Sequence, residues 1–268
     1  MPIAHLEDRA VLAVTGPEAR GFLQGLITND VEALTPGKGL YAALLTPQGK
    51  ILFDFFLAEG DGAILIDCAA PARDALLRRL SMYKLRAKVA LEARDQLVVI
   101  AGESGIAPSS AIPYSDPRLD ALGWRAFIAR GEMPVALSPA ATYHERRRAH
   151  GVPEAADFGS DRMFALDADL DELHAVDFTK GCYVGQELTA RMKHRGTARK
   201  RLLSFEAANA APGAPVKAGD KDVGEIASFD DGQGFALIRL DRLAEAGDAP
   251  LLTDAGSMNL IKPSWLLP

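Results

Sequence analysis

The patterning of the chain breaks near residue 200, and that break limits the possible folds more than any single motif does. Before it, apolar runs of strand character alternate with helical periodicity. After it, "KRLLSFEA", "APVKAG", "DVGEIASF" and "GFALIRL" are short β-like runs punctuated by Gly, Pro and Asp-rich turns. Short strands of this kind hide their edges by closing into a small barrel or sandwich. A length of 268 residues leaves room for two unequal domains. The expected division is an α+β body over 1–197 and an all-β domain over 198–268.

Within the body, "AVLAVTG" (10–16) reads as a strand. Pro17 then stands where a first helical residue is tolerated, and Ala19, Phe22, Leu23, Leu26 and Ile27 share one helical face. "LYAALLT" (40–46) and "ILFDFFLA" (51–58) are separated by "PQGK", a hairpin signal, and "AILIDCA" (63–69) is a third strand. Pro71 opens a helix containing Leu76, Leu77 and Leu80, after which 88–93, 96–102 and 123–130 return to strand pattern. Residues 103–121 read as loop. Ser138 and Pro139 start a helix that Gly151 is placed to end.

Composition narrows the function classes. The two cysteines, Cys68 and Cys182, have no framework spacing, which fits a reducing compartment. Charged residues precede any long apolar run at the start, so no signal peptide is expected. No apolar stretch approaches the ~20 residues of a membrane span. The expectation is a soluble protein of the bacterial cytoplasm. A net charge of −6 argues against general nucleic-acid binding. Positive charge nevertheless clusters at Arg146–Arg148 and between Lys180 and Arg201; each cluster is either a solvated face or a site for a carboxylate or phosphate ligand. There is no G-x-G-x-x-G, P-loop, C-x-x-C or H-E-x-x-H, and the five histidines are scattered, so no metal site is expected.

Chemistry concentrates in "KGCYVGQE" (180–187). Gly181 and Gly185 flank "CYV" and allow tight backbone on either side. A helix is expected from about Val184, which sets Cys182 just ahead of its N-terminus, where the dipole and Lys180 favour a thiolate. Such a group serves as nucleophile, redox thiol or soft-metal ligand; the alternative is a structural cysteine buried in a glycine-flanked turn. Gln186 and Glu187 fall in the first turn, where they cap the helix, contact a ligand or orient Lys180. Cys68, ending an apolar strand, reads as core.

"KGCYVGQE" resembles the signature of the YgfZ/Iba57 family of folate-dependent iron–sulfur proteins, relatives of the glycine-cleavage aminomethyltransferases. "FLQGLITNDV" (22–31), "LLTPQGKILFDFFL" (44–57), "ERRRAHGVP" (145–153), "ARMKHRGTARKRLL" (190–203) and "VGEIAS" (223–228) resemble that family's blocks in the same order. The resemblance implies an aminomethyltransferase-like body that binds tetrahydrofolate and a C-terminal β-barrel. It also implies a role in assembling or repairing [4Fe–4S] proteins, with indirect support of tRNA thiomodification. The implied partners are iron–sulfur assembly proteins and client enzymes, with no direct nucleic-acid or membrane contact. Cys182 and Lys180 take the reactive positions, and Gly181, Tyr183, Gly185, Gln186 and Glu187 complete the signature. Folate contacts are expected at Tyr143, Arg147, Asn29 and Asp169, the last where asparagine is common. If the protein is an enzyme, the implied reaction is folate-dependent one-carbon transfer. Classical aminomethyl transfer fits less well, because Phe53–Asp54 stands where those relatives carry an aspartate pair. A non-catalytic, folate-binding adaptor is a further alternative.

Overall fold

A computed structural model describes residues 3–194, 196 and 199–266. The chain forms two compact units. The first takes the described residues up to Leu45, with Phe53–Arg146 and Leu173–Val184; the second takes Thr46–Leu52, Arg147–Glu172 and those from Gly185 onward. The expected boundary between 197 and 198 lies outside the described residues.

In chain order the first unit's elements begin with strands β1 (Ile3–His5) and β2 (Arg9–Thr15) and helix α1 (Ala19–Gln24). Strands β3 (Leu40–Leu45), β4 (Ile51–Gly60) and β5 (Ala63–Ala69) follow, then helix α2 (Arg73–Lys84). β6 (Ala90–Ala93), β7 (Leu97–Gly102), β8 (Ile112–Ser115), β9 (Trp124–Ala129), β10 (Leu137–Ser138) and helix α3 (Ala140–Ala149) complete the series, with Ile51–Leu52 of β4 and Arg147–Ala149 of α3 falling in the second unit. One sheet runs β3-β4-β5-β2-β6 and the other β10-β1-β7-β9-β8. The hairpin between β3 and β4 closes as its sequence dictates: the Gly49 amide donates to the Thr46 carbonyl at 2.8 Å, with Gly49 at φ 81°. α1 and α2 bury Leu23, Leu76 and Leu80 against Leu12, Val14, Phe55 and Ile66 of the first sheet. Each such side chain contributes roughly 1.5–3 kcal/mol. The expected loop at 103–121 instead contains β8, which pairs with β9 through Tyr114↔Arg125.

Tyr114 and Arg125 carry charge and hydroxyls into a buried layer. Asp67 on β5 accepts from Arg9 at 2.6 Å, from Tyr114 at 3.0 Å and from both ends of the Arg125 guanidinium at 2.9 and 2.5 Å. Arg118 is held bidentate by Asp116 at 3.0 and 2.8 Å. Arg9, Arg118 and Arg125 surround the Phe56 ring at 5.5, 4.6 and 4.2 Å from its centre. Asp67, Asp116 and Asp54, all buried, match the three arginines in number. A buried charge is tolerated only when paired in this way. Burial and the Asp67 carboxylate push the Tyr114 hydroxyl well above its ordinary pKa, so it remains a donor.

The second unit contains the short helix α4 (Ala155–Phe158), α5 (Gln186–His194) and the strands β11 (Lys200–Ala207), β12 (Pro215–Ala218), β13 (Lys221–Asp230) and β14 (Gln233–Arg239). Helix α6 (Leu240–Ala246) and strands β15 (Leu251–Thr253) and β16 (Gly256–Ile261) follow. The strands form a closed barrel in the order β11-β14-β13-β12-β15-β16, with β16 returning to β11. Leu203, Phe205, Val216, Val223, Ile226, Ala236 and Ile238 fill it. Gly234 is required at the crossing, since a Cβ there would lie 2.2 Å from the Ser228 carbonyl oxygen.

Candidate functional site: a clamped turn presenting one thiol

Segment 174–184 is fastened to the loop after α1, which carries the "FLQGLITNDV" block. The Thr28 hydroxyl donates to the Ala175 carbonyl at 2.6 Å, and the Asp177 amide donates to the Thr28 carbonyl at 3.0 Å. The Asn29 amide group donates to the carbonyls of Tyr41 at 2.8 Å and His174 at 2.7 Å. Asp177 accepts from the Thr179 amide at 2.6 Å, the Thr179 hydroxyl at 2.7 Å and the Lys180 amide at 3.1 Å. Burial alone would raise the Asp177 carboxyl, but these bonds outweigh it and hold it below its ordinary pKa.

Lys180 completes the clamp. Its ammonium donates to the carbonyls of Gln24, Ile27 and Asn29 at 2.9, 2.7 and 2.7 Å, and lies 5.3 Å from the centre of the Tyr183 ring. Burial pulls its pKa down from 10.5 to about 8, with Asp30 and Asp177 opposing. An ammonium has three donors, and all three are used here. Lys180 therefore acts in this geometry as a tie between two loops.

Between the buried Lys180 and the 7 % exposed Tyr183, Cys182 is exposed. Gly185 stands at φ 84°, a conformation that glycine supplies without strain. Gly181 has no such need: a Cβ there would meet no atom within 4 Å. α5 starts at Gln186 and not near Val184, which leaves Cys182 four positions ahead of the helix. Glu187 pairs along the helix with Arg191 at 2.6 Å and is largely exposed. In the second unit, the β3–β4 turn abuts the start of α5: a Cβ on Gly49 would lie 3.3 Å from Leu188 Cβ and 3.4 Å from the Gly185 carbonyl oxygen. Cys68 is core, as expected; burial pushes its thiol up to about 12.

The residues expected to touch folate are engaged elsewhere. The Tyr143 ring is buried in the first unit, and its hydroxyl accepts from Arg118 and Arg125, each at 2.5 Å. The Asn29 side chain is spent on the loop clamp. Arg147, in the second unit, is buried and pairs with Asp157 at 2.6 Å, while also donating to the Val152 carbonyl at 3.0 Å. Asp169 is fully buried, accepts from the Leu202 amide at 3.2 Å and faces Arg201 at 3.5 Å. Burial pushes the Asp169 carboxyl well above its ordinary pKa, with Arg201 opposing. The four side chains do not fit as a folate-binding set.

Most cations of the basic clusters flagged in the sequence are likewise paired internally, Arg199 and Lys200 being exposed exceptions. Arg146 pairs with Glu103 at 3.3 Å, Arg148 with Asp230 at 3.1 Å, and Lys193 with Asp171 at 3.2 Å. Arg201 bridges Asp171 at 3.0 Å and Glu172 at 3.6 Å. Arg195 lies outside the described residues. The Asp67 network was missed by the sequence reading. Its signal is a single charged residue inside each of several apolar strands, as in "AILIDCA" and "WRAFIA".

Comparison with known proteins fits this architecture. The fold is that of an aminomethyltransferase: it is similar to the crystal structure of glycine cleavage system aminomethyltransferase T from Bartonella henselae, with TM-score 0.77 and 14% identity over 98% of this chain and 86% of that one. Residues 199–267 match the CAF17 C-terminal beta-barrel domain.

Sequence relatives then give the family. The chain is 32% identical to mouse mitochondrial iron-sulfur cluster assembly factor IBA57 over 98% of this chain and 84% of that protein. It is 33% identical to the human protein over 89% of this chain and 78% of that one. A Mycosarcoma maydis homologue is 37% identical, and there the match spans only 60% of the relative. The chain belongs to the IBA57 family of iron-sulfur cluster assembly factors. These relatives are mitochondrial proteins of eukaryotes, which overturns the expectation of a bacterial cytoplasmic protein.

Proposed function

We propose that this protein works in the assembly or repair of [4Fe–4S] proteins, with Cys182 as the residue offered to the cluster or its sulfur. The observation that carries the reading is one exposed thiol held between two anchored shoulders, in a chain of the IBA57 family. A thiolate is a ligand for iron and a nucleophile toward sulfur. A [4Fe–4S] cluster takes four such ligands, and this chain has two cysteines, one of them buried. The cluster is therefore cargo, with its remaining ligands supplied by another protein. Support of tRNA thiomodification follows indirectly, through the iron–sulfur enzymes that perform it.

Tetrahydrofolate binding forms part of the proposal on the strength of the fold likeness alone, not on Tyr143, Arg147, Asn29 or Asp169. Titration calorimetry with tetrahydrofolate tests it, and absence of heat at millimolar ligand removes it. The thiol is tested in a strain lacking the endogenous copy, by following one [4Fe–4S] and one [2Fe–2S] enzyme. Wild type is expected to restore the first and Cys182→Ser to fail. Equal restoration by both would sink the thiol role.

A further inference from the structure

The cations left unspent lie elsewhere. Residues 75–91 contain Arg78, Arg79, Lys84, Arg86 and Lys88 and no acidic residue, on a chain whose net charge is −6. None of these five side chains has a carboxylate partner among the described residues, in contrast to Arg146–Arg148 and Arg201. Arg78 and Met82 fall one turn apart on the outer face of α2, opposite the buried Leu76 and Leu80. Leu85 follows three residues on. Met82 is 69% exposed and Leu85 89%, two apolar side chains flanked along the chain by these cations.

Leu85 is also in the wrong conformation for a leucine. Its φ of 43° and ψ of −107° match the first central position of a type II′ turn, closed by the Ala87 amide donating to the Lys84 carbonyl at 2.8 Å. Glycine occupies that position without strain. Stability does not account for a leucine in this turn: the backbone disfavours it, and its side chain is left in water.

We infer that the outer face of α2 and the turn at 84–87 dock a protein partner bearing an acidic surface around an apolar depression. Charge complementarity selects the partner: five unpaired cations on an otherwise acidic molecule attract carboxylates and repel basic surfaces. Exposed Met and Leu flanked by Arg form an interface centre with a charged rim. Nucleic acid is disfavoured by the chain's net charge of −6, and Tyr83, the aromatic residue of this segment, is partly buried against the core.

The test places the photo-crosslinker p-benzoylphenylalanine at position 82 of the full chain, in cells that naturally contain it. Equivalent probes at Ile106 and Val135, 95% and 106% exposed but outside the cationic segment, serve as controls. The expected result is a protein adduct at 82 alone, whose cross-linked peptide is rich in Asp and Glu. It should disappear in the Arg78→Glu/Arg86→Glu background. With the identified partner purified, calorimetry should show affinity falling about tenfold on that double reversal. Leu85→Gly should cost about threefold without lowering the melting temperature. The inference is overturned by adducts to lipid or nucleic acid, by no adduct, by the same adduct from the controls, or by an adduct indifferent to charge reversal. It is equally overturned if Leu85→Gly binds as wild type does.

Discussion

Replacing Lys180 by methionine keeps the length of the side chain and removes the ammonium that ties 180 to Gln24, Ile27 and Asn29. A hydrogen bond from a charged donor is worth roughly 1.5–3 kcal/mol, a figure already net of the water it replaces. Methionine leaves three carbonyls without that donor, so Lys180→Met is predicted to lose about 3 kcal/mol or more at pH 7, read as a shift in the urea midpoint at unchanged slope. The lowered pKa of Lys180 sets a pH signature. The folded lysine releases its proton near 8, the unfolded one near 10.5, so between those values the unfolded state holds the extra proton. The lysine's titration-linked contribution is complete above 10.5 and is lost as pH falls through 8. Wild type should therefore gain on Lys180→Met as pH rises across that window. A loss under about 0.5 kcal/mol at pH 7, the size of an ordinary surface substitution, would refute the clamp. A flat difference between pH 8 and 10.5 would refute the lowered pKa.

Other outcomes follow from single positions. In native protein a thiol reagent should label Cys182 within seconds to minutes, and Cys68 only on unfolding, as counted by mass spectrometry across a denaturant series. Gly185→Ala should cost about 1 kcal/mol or more because of its φ of 84°, whereas Gly181→Ala should be near neutral by thermal melting. Asp67→Asn leaves three buried arginines against two buried carboxylates, and should lose about 3–5 kcal/mol by denaturant titration. Gly234→Ala should disrupt the barrel, seen as lost amide-exchange protection in β11, β13 and β14, since its Cβ meets the Ser228 carbonyl oxygen at 2.2 Å.

Elements governed by local pattern were legible in the sequence. β5 spans the expected 63–69, β11 the expected 200–207, and the hairpin at 46–50 turns where Pro, Gln and Gly place it. β8 was not legible, because four residues containing a proline acquire strand geometry only by pairing with β9. α6, β15 and β16 were also missed; the last two are short strands whose place is set by barrel closure. The site divides in the same way. That 180–187 holds the candidate thiol was legible from its flanking glycines, Lys180 and the family resemblance; that Cys182 is exposed was not. Nor was the role of Lys180, because its acceptors at Gln24, Ile27 and Asn29 lie more than 150 residues away. Long-range pairing also reversed the reading of charge. Arg146–Arg148, Arg191, Lys193 and Arg201 proved to be paired with carboxylates, and the cations of 78–88 did not.

That reversal bears on how a one-thiol protein can take part in cluster chemistry. Cys68 is withheld by burial and a pKa of about 12, so this chain supplies at most one cysteine ligand. On the role proposed for Cys182, the further ligands of a [4Fe–4S] cluster and its iron come from another molecule, and cluster handling requires a complex. A complex needs a surface that selects its partner, and a clamped turn with one exposed thiol is too small to do so. The unpaired cations and apolar knobs of α2 supply that surface in the same compact unit as Cys182. The two tests therefore separate the roles. Cys182→Ser should leave the α2 adduct intact while cluster delivery fails. Arg78→Glu/Arg86→Glu should remove the adduct while leaving Cys182 as reactive as before toward a small thiol reagent. If charge reversal also slowed that labelling, the two surfaces would not be independent, and recognition and chemistry would have to be assigned to one site.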